Sequence, residues 1–498
     1  MNLVNTIIKK IKSGGSKNPI LLLFLSTICS AVVYDLEGPE SALVILFFIP
    51  IISLVLNWKG SKLSLFFSYW LAGTIYLIYI LRWHLDTWPL DSIAIYNDNI
   101  AWLMIIYSWL TPAIIAGILW GLWSLAVYQF RHKSTFFLAI FITASFFVIE
   151  FARSVLFSIV WLGSESSIGD HLSYGALGYA LSDVSILSTP AFLIGVYGLS
   201  SLAIFITYIL YICLLREKPN EFSIKIVLVV LLSILIILYY YNQNFRIPKN
   251  YLSQTNILAV STPTKTTPSL LLQKAISNNP NLDIIVLPED SSLFARERSF
   301  SDKEWQVFFR KIPTEKSLSI IDSDHLIFSK SNKQASVAYQ IFNHKPYIGS
   351  FSEKMVLAPH GEYIPYFTSF ILKLGGQNEL LKTYRKRREL VSGRITNPMT
   401  INNKEIFIVL CSEIMSTKRL RQTGSNSLII NMSSYDWFSS GSSLYRQTKK
   451  ASKIQAVIKN SYILHTNDTE PSYLINPKGK DILHKNTDTI NGYLYQLP

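Results

Sequence analysis

The sequence predicts two parts in series: an α-helical transmembrane bundle of about seven helices, then a layered α/β domain. Three observations predict this. Half of the 498 residues are apolar and only 16% are charged, against roughly 25% charged in ordinary soluble domains. The apolar excess lies almost wholly before residue 242. Beyond it, short β-branched runs alternate with polar, helix-like stretches, the pattern of an α/β fold. The chain therefore divides into a basic cytoplasmic N-terminus at 1–18, a multi-pass region at 19–241 and an outer domain at 242–498. The net charge of +14 would suit a nucleic-acid binder. Many of its basic residues, however, stand in short loops between apolar runs, where topology accounts for them, and no nucleic acid is expected.

Seven runs approach or exceed the roughly 20 residues that cross a bilayer core: near 19–35, 41–57, 64–82, 101–128, 136–160, 186–213 and 223–241. No small-residue cleavage site before Asp35 marks the first as a signal peptide. Lys9, Lys10, Lys12 and Lys17 precede it. Lys59 and Lys62, then Arg131 and Lys133, then Arg216, Lys218 and Lys225 fill alternate loops. The loops between carry Asp35, Glu37 and Glu40, then Asp86 and Asp91, then Glu165 and Asp170. Basic loops stay cytoplasmic, so seven crossings place 242–498 outside. Glu150 and Arg153 lie inside an apolar run, three residues apart, and read as a structural pair.

Cys29 and Cys213 fall in apolar runs, and only Cys411 belongs to the outer domain, which excludes a disulfide framework there. Buried strands are expected at Asn256–Val260, Asp283–Leu287, Ile406–Leu410 and Leu428–Asn431, and helices at Thr267–Ser277 and Leu444–Lys459. Three segments carry reactive side chains: Val286-Leu-Pro-Glu289, Lys354-Met-Val-Leu-Ala-Pro-His-Gly-Glu362, and Val409-Leu-Cys411-Ser-Glu413. Singly, each has an ordinary explanation in a solvated carboxylate, a surface lysine or a small buried thiol. In this order, each at or after a strand, they form a set. Neither a zinc-ligand cluster nor a phosphate-cradling glycine loop is present, and no cofactor is expected.

These segments resemble the carbon–nitrogen hydrolase (nitrilase) superfamily, whose triad is Glu, Lys, Cys in that chain order. Glu150-Phe-Ala-Arg153, Phe157, Trp161, Gly178-Tyr-Ala-Leu-Ser-Asp183 and Gly195-Val-Tyr-Gly198 are similar to membrane signatures of its bacterial apolipoprotein N-acyltransferase family. The resemblance runs from about 19 to 480. It is strongest from Lys354 to Pro365, with its eight-residue Lys-to-Glu spacing and Gly-Glu-Tyr-Ile-Pro ending. It implies an α-β-β-α sandwich with Cys411 as nucleophile, Lys354 lowering the thiol pKa and stabilising an oxyanion, and Glu289 as general base and acid. The Ser412 backbone N–H would assist at the oxyanion, Glu362 would orient Lys354, and Glu413 would support the site. A phospholipid would give its acyl chain to Cys411, and the α-amine of a diacylglyceryl-modified apolipoprotein would take it, at the outer side of a bacterial inner membrane.

The chain departs from the family pattern at Ser261, in the Asn431–Phe438 stretch, at Gln455, Ile458, Ser461, Asp468 and Glu470, and in having no apolar run after 480. The apolar stretch Tyr366–Gly376, followed by Lys382, Arg385, Lys386, Arg387 and Arg388, reads as a membrane-dipping lid with a basic run that attracts lipid headgroups. Two other readings remain open: a membrane-tethered amidase, and a degenerate paralogue acting as a scaffold.

Overall fold

The computed structural model describes residues 18–91, 95–215, 232, 236, 255–261, 276–291, 318–328, 333–342, 345–387, 389–438, 441–486 and 492–497. Helices α1 (Pro19–Asp35), α2 (Val44–Leu56), α3 (Lys62–Ile80), α4 (Asp98–Phe130), α5 (Thr135–Val160) and α6 (Ala191–Leu215) match the first six predicted runs within a few residues. The sixth run splits, because a short helical turn at Ser185–Ser188 precedes α6 and Gly195 takes a φ of +64° inside it. Apart from Leu232 and Ile236 the seventh run lies outside the described residues, as does most of Thr267–Ser277. The side chains of Asn18, Ser61, Asn97 and Ser134 accept from the N–H groups of Leu21, Ser64, Ile100 and Phe137. Each satisfies a donor that the first helical turn leaves unpaired.

Among the described residues five helices are long and apolar enough to cross a membrane; α1, at 17 residues, is shorter. Leu21, Leu25, Ile28 and Val32 on α1 and Leu63, Phe67 and Leu71 on α3 stand exposed in rows. Glu150 and Arg153 pair at 3.2 Å inside the bundle. Glu150 also accepts from the Leu177 N–H and the Ser200 hydroxyl, both at 3.0 Å, while Arg153 donates to the Tyr174 carbonyl. This pair is structural, and it fixes the loop that carries Tyr174.

Thirteen described strands form two sheets. The first has the order β12 (485–486), β13 (492–496), β1 (256–260), β2 (284–286), β3 (319–328), β4 (333–342), β5 (345–353). The second runs β11 (481–482), β10 (473–475), β9 (462–466), β8 (428–432), β7 (404–410), β6 (399–401). The strands β1–β2–β3 and β7–β8–β9 are parallel, which requires long crossovers. Alternate side chains face each other across the sandwich. Ile257, Ala259, Ile284 and Val286 of one sheet join Ile406, Ile408, Leu410, Leu428 and Ile430 of the other in one buried cluster. All four predicted strands are present: the first with the expected bounds, the second one residue shorter at each end, the third starting two residues earlier and the fourth one residue longer.

Helix α9 (Ser443–Lys459) covers the outer face of the second sheet. The hydrophobic cluster containing Ile429, Ile463, Ala451 and Ile454 continues without a break into the helical bundle. Towards the bundle, α9 presents Arg446 to Asp35 (2.6 Å), Gln447 to the Ile80 carbonyl (2.8 Å), Lys450 to the Tyr34 carbonyl and Lys453 to Asp183 (2.6 Å). Helical periodicity puts these four on one stripe. The α9 layer thus seats the sandwich on the bundle.

Two helices absent from the strand–helix pattern complete the site. Helices α7 (Tyr366–Leu374) and α8 (Asn378–Arg387) fold over the front of the domain. Their inner side chains Leu372, Leu381 and Tyr384 cluster with Leu90, Ala101, Met104 and Ile105, several of them from the start of α4. A 33-residue helix is about 50 Å long, against a hydrocarbon core of about 30 Å. That length leaves one end of α4 to pack against the lid.

Candidate active site

Each predicted catalytic residue follows the C-terminal end of a strand, where parallel sheets place their sites. Glu289 comes after β2, Lys354 directly after β5 and Cys411 directly after β7. The first sheet supplies the carboxylate and the ammonium, the second the thiol, and they meet at the open end of the sandwich. Lys354 Nζ lies 3.0 Å from Glu289 Oε1 and 2.6 Å from Glu362 Oε1. The other oxygen of Glu362 accepts from the Ala358 N–H at 2.6 Å, so the 354–362 loop closes on its own lysine. Glu362 therefore orients Lys354.

Glu413 joins the two sheets. One of its oxygens accepts from the N–H groups of Met355 (2.7 Å) and Val356 (3.2 Å), beside Lys354. The other accepts from the Leu410 N–H (2.9 Å), beside Cys411, and from Arg419 Nε (3.3 Å). Arg419 continues to the Ile408 carbonyl at 2.7 Å and the Ser352 hydroxyl at 3.2 Å. The Ser412 hydroxyl donates to the Val356 carbonyl, which leaves its backbone N–H for the sulfur side. Glu413 is a positioning residue.

Three residues around this site carry left-handed backbone at positions that are neither glycine nor asparagine: Asp290 (φ 59°), His360 (φ 67°) and Cys411 (φ 48°). Such conformations cost about 1–3 kcal/mol and gather where function needs them. All three line one cavity.

That cavity holds about 1020 Å³ of space, part of it open to the outside. Its α/β-domain wall is Glu289, Lys354, Glu362, Cys411, Trp437 and Phe438; its bundle wall is Trp83, His84, Met104, Ile105, Trp161 and Tyr174. The reactive thiol thus faces an aromatic and apolar chamber shared by both parts of the chain.

Inside the site, burial competes with the pull of Lys354 on the thiol. Burial pushes the Cys411 thiol well up; Lys354 and the Ser412 N–H pull the other way without overcoming it, while Glu289 and Glu362 add to the rise. Cys411 is therefore a thiol at rest, and an attack by its sulfur would need the proton removed. Burial alone would lower Lys354, but Glu289 and Glu362 together hold its ammonium above the ordinary value. Burial pushes Glu289 up to about 8, against the attraction of Lys354. Of the two forms of Glu289, only the carboxylate could accept a proton. If it serves as base to Cys411, acyl-enzyme formation should rise about tenfold per pH unit below that value and level off above it. Burst rates measured from pH 6 to 9 check this; a flat profile would mean an ionised Glu289 throughout.

Of the basic run, Arg385 and Lys386 are exposed on α8, and neither lines the cavity. The Arg387 side chain and Arg388 lie outside what is described. The family departures have local partners: Ser261 with Ser472 (2.6 Å), Ser461 with the Ser427 N–H (3.1 Å), and Asp468 with the Ser434 hydroxyl and Tyr435 N–H (both 2.7 Å). Asp468 so anchors the loop bearing Trp437 and Phe438. Sequence reasoning missed the bundle wall, Asp290 and His325, which pair at 3.1 Å. Among the described residues no three His, Cys, Asp or Glu side chains gather to hold a metal ion.

Neither a protein-family model nor a curated protein matches this chain. Solved structures do resemble it. A Saccharomyces cerevisiae member of branch 10 of the nitrilase superfamily is 12% identical over 49% of this chain and 91% of its own, with a TM-score of 0.35. A carbon–nitrogen hydrolase from Helicobacter pylori is 15% identical over 49% and 88%, also at 0.35. An amidase variant from Nesterenkonia sp., bearing the acetamide moiety of fluoroacetamide on its active-site cysteine, is 11% identical over 51% and 93%, at 0.34. The likeness covers about half of this chain, and the roles of its residues rest on its own geometry.

Proposed function

We propose that this chain is an N-acyltransferase that moves a fatty acyl chain from a phospholipid, through a thioester on Cys411, to the α-amine of a diacylglyceryl-modified apolipoprotein. The observation that carries this reading is the shared cavity. A Glu-Lys-Cys set opens onto an apolar and aromatic chamber, half of whose wall comes from a bundle with membrane-length helices. An acyl chain fits such a wall, whereas an amidase acting on a soluble amide has no use for it. The intact triad speaks against a scaffold.

In the first half-reaction Glu289 takes the Cys411 proton while the sulfur attacks the ester carbonyl. Lys354 and the Ser412 N–H stabilise the oxyanion. Glu289 then returns the proton to the leaving alcohol as the C–O bond breaks. In the second half-reaction the amine attacks the thioester; a C–N bond forms, the C–S bond breaks, and Glu289 carries the amine proton to sulfur. No cofactor takes part. On this reading the bundle lies in a bacterial inner membrane with the sandwich outside, and Arg385, Lys386, Arg387 and Arg388 meet lipid headgroups near the surface.

The test is direct. Protein incubated with phospholipid labelled in its acyl chain should acquire one label per chain, released by hydroxylamine and mapped to Cys411. No label from any phospholipid, together with hydrolysis of small amides, would replace this reading with the amidase.

A further inference from the structure

The bundle side of the cavity carries polar atoms that the triad does not use. His84 is buried, lines the cavity, and stacks on Trp83 at 3.8 Å with 22° between the rings. Its Nδ1 lies 2.9 Å from the Leu81 carbonyl. A carbonyl oxygen only accepts, so Nδ1 carries the proton and Nε2 of the neutral ring is an acceptor. No described residue hydrogen-bonds to that Nε2. The rings of Trp83 and Trp161 lie 3.8 and 6.2 Å from the imidazole, and their indole Nε1 atoms are buried donors without a partner among the described residues. Both indoles also line the cavity.

An unpaired buried donor costs about 1–3 kcal/mol, so two of them next to a bare acceptor call for a ligand with the complementary set. We infer that His84, Trp83 and Trp161 form a subsite for the N-terminal residue of the acceptor, with its α-amine donating to His84 Nε2 and its carbonyl oxygen accepting from an indole N–H. The α-amine and carbonyl of one residue are separated by a single Cα, which suits a donor and an acceptor borne on stacked rings. Burial lowers His84 to about 4, so the ring stays an acceptor at neutral pH. An ester offers no N–H to it. His84 therefore acts on the acceptor and not on the acyl donor, and it turns the amine lone pair towards the thioester carbon. This rests on the acyl-transfer reading above.

The two half-reactions separate the possibilities. His84→Phe keeps the stacking ring and removes the acceptor, while His84→Gln restores a polar atom near the Nε2 position. Labelled phospholipid first loads Cys411, and a diacylglyceryl-cysteine peptide with a free α-amine is then added. His84→Phe should slow transfer to the peptide at least tenfold more than it slows loading, chiefly through a raised KM for the peptide. His84→Gln should recover part of the loss. Should His84→Phe fail to fold, Trp83→Phe, which removes one indole N–H, should show the same split. Transfer at the wild-type rate, or an equal fall in both half-reactions, would overturn the subsite and leave a packing role. A wild-type enzyme that never loads from phospholipid would instead overturn the acyl-transfer reading, and the subsite with it.

Discussion

Cys411→Ala should load no acyl group and lose turnover by at least about 10⁴-fold, the scale seen when a member of a catalytic set is deleted. The remaining cavity would still bind lipid, because its aromatic walls are untouched. Glu289→Gln should fall almost as far, while its thiol remains available to a small alkylating reagent. The contrast is informative because Cys411 is a thiol at rest. A resting thiolate would attack without Glu289, whereas a buried thiol needs a base at the moment of attack. Labelled phospholipid with each variant, read by thioester formation, checks both. Rapid loading by Glu289→Gln would show that the carboxylate is not the base.

The second large effect falls on stability. Glu413→Ala removes the buried partner of Arg419 and uncovers the N–H groups of Met355, Val356 and Leu410 at once. Breaking a buried ion pair from one side costs about 3–5 kcal/mol, and the stranded amides add to it. Thermal unfolding of the purified protein should shift down by several degrees or more, with activity lost at temperatures where the protein is still folded. Glu413→Gln should be milder, since an amide oxygen can still accept from part of the set. Unfolding of Glu413→Ala at the wild-type temperature would mean that the two sheet edges are held together by other contacts.

The positions of Glu289, Lys354 and Cys411 in the fold were legible because strand ends announce themselves. A short β-branched run followed by Glu289 or Cys411 is local information, and the Lys354–Glu362 spacing lies within one loop. The six described bundle helices were legible for the same reason, each being a continuous apolar run. What could not be read was what the two parts do to each other. Trp83, His84 and Met104 share a cavity with Cys411 because the sandwich is seated on the bundle, in part through α9, whose stripe of Arg446, Gln447, Lys450 and Lys453 looks in sequence like a solvated helix face. The net direction of the thiol pKa could not be read for a related reason. Sequence shows that a lysine accompanies the cysteine, but not that the site is buried deeply enough for desolvation to prevail. Likewise Asp468 and Ser461, which stood out as departures, have compensating partners 34 residues upstream.

Helix α7 is amphipathic in the inverse sense. Thr368, Ser369 and Leu372 are buried, whereas Tyr366, Phe367, Phe370 and Leu374 stand exposed. It is also tied rigidly to the chamber: Phe367 stacks on Tyr107 of α4 at 5.4 Å, and Thr368 meets the cavity-lining His360 at 2.9 Å. On the acyl-transfer reading proposed above, such a helix would work as a float. The depth to which its apolar side chains sank would set the height of Cys411 above the acyl chains, and so the distance an ester would climb to be cut. The make-up of the membrane surface would then be a kinetic variable, felt through the lid before any lipid entered the cavity.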